Sequence, residues 1–116
     1  MSFNYSYLYN KVITNMTVTS SMITLTFNDE TQGLFTVYCS YTSPNQDLGQ
    51  SYFDLSQLSG ITPNGYKINS VSQQTYGIVL ETSKVIDSVT YDLSIPLILG
   101  ADHTGIQGCV VVAVVI

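Results

Sequence analysis

The run LFTVYCSYT at residues 34–42 decides the fold: Phe35, Val37, Cys39 and Tyr41 share one parity, while Thr36, Tyr38 and Ser40 share the other. Successive side chains of a strand point to opposite faces, so this alternation at period two is the signature of a half-buried β-strand. Upstream, Asn28-Asp29-Glu30-Thr31-Gln32-Gly33 reads as a turn, with Asn and Asp bonding locally to the backbone and Gly33 expected at positive φ. Downstream, Ser43-Pro44-Asn45-Gln46-Asp47-Leu48-Gly49 reads as a loop.

The same period recurs on both sides. Phe3, Tyr5, Tyr7 and Tyr9 alternate with Asn4, Ser6 and Leu8, which predicts a first strand. Val12, Met16 and Val18 continue it over residues 11–19, and Ile23, Leu25 and Phe27 alternate with Met22, Thr24 and Thr26. Residues 51–58 and 75–82 are expected as strands, as is the stretch after the turn dipeptide Asn64-Gly65, where Tyr66, Ile68 and Ser70 resume the alternation. Val89, Tyr91, Leu93 and Ile95 mark another strand up to Pro96, and residues 106–116 the last one. A short turn at residues 83–87 is the only helical candidate. Eight or nine strands joined by turns predict an all-β fold, an antiparallel β-sandwich with the size of a single jelly roll of about eight strands. An immunoglobulin-like sandwich is the competing architecture; the chain has no Trp for its core. With no repeat and no linker, residues 1–116 are expected to form one domain.

Composition narrows the function. The chain has 116 residues and a net charge of −5, and only Lys11, Lys67 and Lys84 are basic. Such a balance cannot neutralise a run of phosphates, so neither nucleic-acid binding nor a polybasic membrane patch is expected. Charged residues make up 9%, against about 25% in an ordinary soluble domain. Ser, Thr, Asn and Gln fill the gap with 41 residues, and Val, Ile and Thr supply 35 β-branched ones. Strand edges are commonly guarded by Lys, and small domains are kept soluble by roughly 25–35% charged surface. A chain lacking both guards is expected to have much of its surface covered by neighbouring subunits. No secretory signal is expected from residues 1–7, and the longest apolar run, residues 109–116, is far short of the about 20 residues of a spanning helix. Cys39 and Cys109 are expected as two buried free thiols, with a bridge between neighbouring strands as the alternative.

No catalytic constellation emerges. His103 is the sole histidine; beside Asp102 in a Gly-flanked loop, it lacks the geometry of a Ser-His-Asp triad and reads as solvated. One His and two scattered Cys do not make a zinc site. Asp54, Glu81 and Asp92 are the arithmetical candidates for a glycosidase pair, but no context pairs them. Asp29-Glu30 with Asp47 does not follow a calcium-loop pattern. No enzyme activity, cofactor or metal is therefore expected. Nine Tyr among abundant amides suit either neutral protein contacts or sugar binding, with contacts favoured. Phe3, Tyr5, Tyr7 and Tyr9 are the subunit-contact candidates: they form either an inner face of the sandwich or an arm on another subunit, since an aromatic terminus must dock somewhere.

Thr31-Gln32-Gly33-Leu34 followed by Val37-Tyr38-Cys39-Ser40-Tyr41, and further on Ser72-Gln73-Gln74-Thr75-Tyr76 before the aliphatic Ile78-Val79-Leu80, resembles the penton, or vertex, proteins of tailless internal-membrane bacteriophages. The likeness spans about residues 28–99 and departs from that pattern at Gly77-Ile78, where the usual proline is absent, and in the Val-rich last strand. The resemblance implies a single jelly roll that plugs a capsid five-fold vertex or anchors a spike, with no catalytic residues. The expected function is thus a virion structural protein, a minor capsid or penton protein, assembled as a homo-oligomer, with a pentamer favoured, among other capsid proteins. A receptor- or carbohydrate-recognition module of a spike, fibre or adhesin, or a surface-filament subunit, is the alternative.

Overall fold

The computed structural model describes residues 5–19, 21–39, 53–74, 77–99 and 109–116. Seven strands run through them: β1 (Ile13–Val18), β2 (Ile23–Phe27), β3 (Gln32–Cys39), β4 (Lys67–Gln74), β5 (Gly77–Ile86), β6 (Val89–Ile98) and β7 (Cys109–Val115). All pairings are antiparallel, and they form a four-stranded sheet ordered β1-β2-β3-β7 and a three-stranded sheet ordered β4-β5-β6. The all-β sandwich expected from the alternation is present. Its described strands connect as two meanders, one per sheet, with β7 returning to pair with β3.

The core lies between the sheets. One sheet contributes Ile13, Ile23, Leu25, Phe27, Phe35 and Val111, and the other Ile68, Ile78, Leu80, Ile95 and Leu97. Each such side chain withdrawn from water contributes about 1.5–3 kcal/mol, so the pattern of alternation is also the pattern of stabilisation. β2 is the plainest case, since Ile23, Leu25 and Phe27 are buried and Thr24 and Thr26 only partly so. Two bulges break the simple parity. The register shifts between Ile13 and Asn15 and again between Ile68 and Ser70. An extra residue in one strand turns the side chains beyond it to the other face. Hence Ile13 rather than Val12 joins Met16 and Val18 on the core side, and Val71 rather than Ser70 follows Ile68.

Three expected elements differ. Residues 3–9 do not continue as a strand where they are described, because Ser6–Leu8 form a 3-10 turn that buries Tyr5 and Leu8, three residues apart. Within residues 51–58, Phe53 makes an isolated bridge to Leu99, and Leu55–Leu58 form a second 3-10 turn. The Asp54 side chain caps that turn by accepting from the Ser56 N–H, so capping overrides the alternation there. The helical candidate at residues 83–87 is instead the end of β5 and the start of a two-residue hairpin. Asp87 and Ser88 both have positive φ, 52° and 67°. That is the type I′ geometry whose twist matches a hairpin's strands.

The β2–β3 connection keeps its expected local bond, with Asp29 accepting from the Thr31 N–H at 3.1 Å. The positive φ belongs to Glu30, at 71°, and not to Gly33. Gly33 lies within β3, where a Cβ would stand 3.2 Å from the rings of both Phe27 and Phe35. Its role is to leave room for the two aromatics. Pro96 does not end β6, because β6 pairs with β5 alone among the described strands and can spare the missing N–H.

Candidate functional site

Of the four aromatic candidates, the three that are described do not form a strand's stripe. Phe3 lies outside the described residues. Tyr5 is 4% exposed and its hydroxyl donates to the Val111 carbonyl at 2.6 Å; the Tyr7 hydroxyl donates to the Ala113 carbonyl at 2.6 Å. Tyr9 is exposed. Tyr5 and Tyr7 thus clasp the outer rim of β7, an edge strand whose carbonyls on that side have no strand partner among the described residues. Edge strands with no Lys or Pro need some such cover. Burial, and secondarily the neighbouring Tyr7, pushes the Tyr5 phenol above its ordinary range, and burial alone raises Tyr7.

The acidic candidates are dispersed. Asp54 is occupied as a cap, its carboxyl held below the usual range by hydrogen bonds from Ser56 and Gln57. Glu81 accepts from the Ser94 hydroxyl at 2.8 Å, and Asp92 stands opposite Ser83 in the β5–β6 ladder. Asp29 meets the Lys11 ammonium at 2.6 Å, which together with Thr31 holds its carboxyl far below the usual range. Lys11 also lies over the Phe27 ring, 5.3 Å from its centroid. Asp47, Asp102 and His103 lie outside the described residues. Among the described residues no group of three His, Cys, Asp or Glu side chains could hold a metal, and no helix is long and apolar enough to cross a membrane.

A surface that alternation alone did not single out is the outer end of the β5–β6 hairpin. β4 accompanies β5 only as far as the pair Lys67↔Ser83. Beyond it, Lys84↔Tyr91, Val85↔Thr90 and Ile86↔Val89 form a two-stranded arm. Along β5 the core-facing residues are Ile78, Leu80 and Thr82; two and four positions on come Lys84 and Ile86. Along β6 the core-facing Leu97 and Ile95 are followed by Leu93, Tyr91 and Val89. The face that the other sheet covers in the body of the molecule therefore continues along the arm with Ile86, Val89 and Tyr91, which are 45%, 51% and 48% exposed. Lys84 is turned to the body by a hydrogen bond to the Asn64 carbonyl at 3.2 Å and lies over the Tyr66 ring. The signal in the sequence was on β6, where Tyr91 and Val89 keep the core parity apolar up to the turn; on β5 Lys84 interrupts that parity before Ile86.

Comparison with protein-family models, with curated proteins and with solved structures finds no match to this chain.

Proposed function

We propose that the chain is a structural subunit of a virion, a minor capsid or penton protein that acts through contacts with copies of itself and with other capsid proteins. The observation that carries this reading is the arm: Ile86, Val89 and Tyr91 extend the core face of the sandwich into solvent, on a molecule with 11 charged side chains in 116 residues. An uncovered apolar face on a two-stranded ribbon is stabilised when a neighbour supplies the missing layer, and closed symmetry lets each copy do so for the next. The short motifs at residues 31–41 and 72–80 favour a vertex protein over other assembly subunits. A pentamer is the favoured closed form.

Native mass measurement of the wild-type chain and of Val89→Glu tests the reading. Closed rings of the wild type that fall apart in the variant support it. Persistent monomers that bind a glycan array would replace it with a recognition module, and open linear polymers with a filament subunit. Co-purification of the chain with viral particles is the expected result for the location.

A further inference from the structure

The register of β3 on β7 sets Cys39 directly opposite Cys109. The pairing runs from Gly33↔Val115 to that pair without a shift. At its start Gln32 and Ile116 exchange both backbone hydrogen bonds, each at 2.9 Å. In an antiparallel ladder, hydrogen-bonded and non-hydrogen-bonded pairs alternate. Counting from Gln32 to Cys39 therefore places the cysteines at a non-hydrogen-bonded position. The tyrosine clasp checks this independently: the Val111 and Ala113 carbonyls, on the same parity as Cys109, accept from Tyr5 and Tyr7 and so face away from β3. At non-hydrogen-bonded positions the Cα atoms stand about 4.5 Å apart, the closer of the two spacings. A disulfide requires about 4.4–6.8 Å.

We propose that Cys39 and Cys109 are a redox pair that closes into an intrachain disulfide across β3 and β7. The oxidant is a low-molecular-weight disulfide such as oxidised glutathione. One cysteine thiolate attacks it and releases the first glutathione as a thiol; the second displaces the other glutathione, forming the Sγ–Sγ bond. The two cysteines lose two protons and two electrons, and the oxidant leaves as two thiols. β7 pairs with β3 alone among the described strands, so this bond fixes the end of the ladder opposite the Gln32–Ile116 hydrogen bonds. It also encloses the chain from residue 39 to residue 109, a long loop whose freedom in the unfolded state is reduced. The inference rests on strand register and stands whether or not the chain belongs to a virion.

The test uses the full chain, folded, incubated with oxidised glutathione and then examined without reductant. The expected product has no titratable thiol, an intact mass lower by about 2 Da for the two hydrogens lost, a linked peptide pair containing Cys39 and Cys109, and a higher melting temperature than the reduced chain. In Cys39→Ser, Cys109 has no partner to complete the exchange and is expected to remain as a stable mixed disulfide with glutathione. Two thiols still titratable in the wild type, unresolved double glutathionylation, or disulfides between chains would each overturn the proposal. An unchanged melting temperature on reduction of a confirmed bond would overturn its bracing of β7.

Discussion

Gly77 is the residue at which the backbone has least latitude. Its φ is 150°, and a Cβ there would collide with the Leu97 carbonyl oxygen and approach the Ile98 Cα to 2.9 Å. Both obstacles are main chain of β6, so no side-chain rotation relieves them. Gly77→Ala is expected to destabilise the fold by about 3 kcal/mol or more, whereas Gly33→Ala, which meets only the Phe27 and Phe35 rings, should cost about 1 kcal/mol. Urea unfolding of the two variants gives the comparison, and equal losses would contradict it. The Tyr5 hydroxyl carries a different kind of constraint. Tyr5→Phe leaves the Val111 carbonyl without that donor and is expected to cost about 1–2 kcal/mol. Because Tyr5 and Tyr7 have raised pKa values, the unfolded chain ionises at these phenols before the folded chain does. Their contribution is whole below about pH 10 and is lost as pH rises through the folded pKa values. Unfolding at pH 8 and pH 11 should therefore show a smaller alkaline loss in the Tyr5→Phe, Tyr7→Phe double variant than in the wild type.

At the scale of elements, strands were legible where burial and alternation coincide, and the misreadings have identifiable causes. β2 and β3 follow from Ile23, Leu25, Phe27 and Phe35, which are buried on one parity. The tyrosines at positions 5, 7 and 9 obey the same alternation without forming a strand, because a phenol can bury its ring and still bring its hydroxyl to a distant carbonyl. Bulges after Ile13 and Ile68 leave no mark in composition, so simple alternation puts Val12 and Ser70 on the wrong side. The hairpin turn was hidden because Ser88 stands at a positive-φ position where Gly is the usual partner of Asp, so the Asp-Gly signal of such a turn is missing. The double substitution Asp87→Asn with Ser88→Gly supplies the Asn-Gly pair that this turn favours and should stabilise the fold by about 0.5–1 kcal/mol. A thermal melt reads that gain, and a loss would mean that the hairpin does not turn there.

At the scale of the molecule, the scarcity of charge and the arm of β5–β6 describe one property. A sandwich buries one face of each sheet; here that face runs on past the covering sheet as Ile86, Val89 and Tyr91. The charge deficit was readable from composition, but the arm was not, since only the register shows that β4 stops at Ser83 while β5 and β6 continue to Ile86 and Val89. Contacts made by such a face are apolar and neutral, and screening by salt acts on exposed charges and leaves them intact. Sedimentation velocity of the wild-type chain over a concentration series, at low and at moderate salt, tests the subunit role most directly. The expected result is a discrete closed oligomer that survives added salt; a monodisperse monomer at high concentration, or an oligomer that dissociates on adding salt, would contradict it.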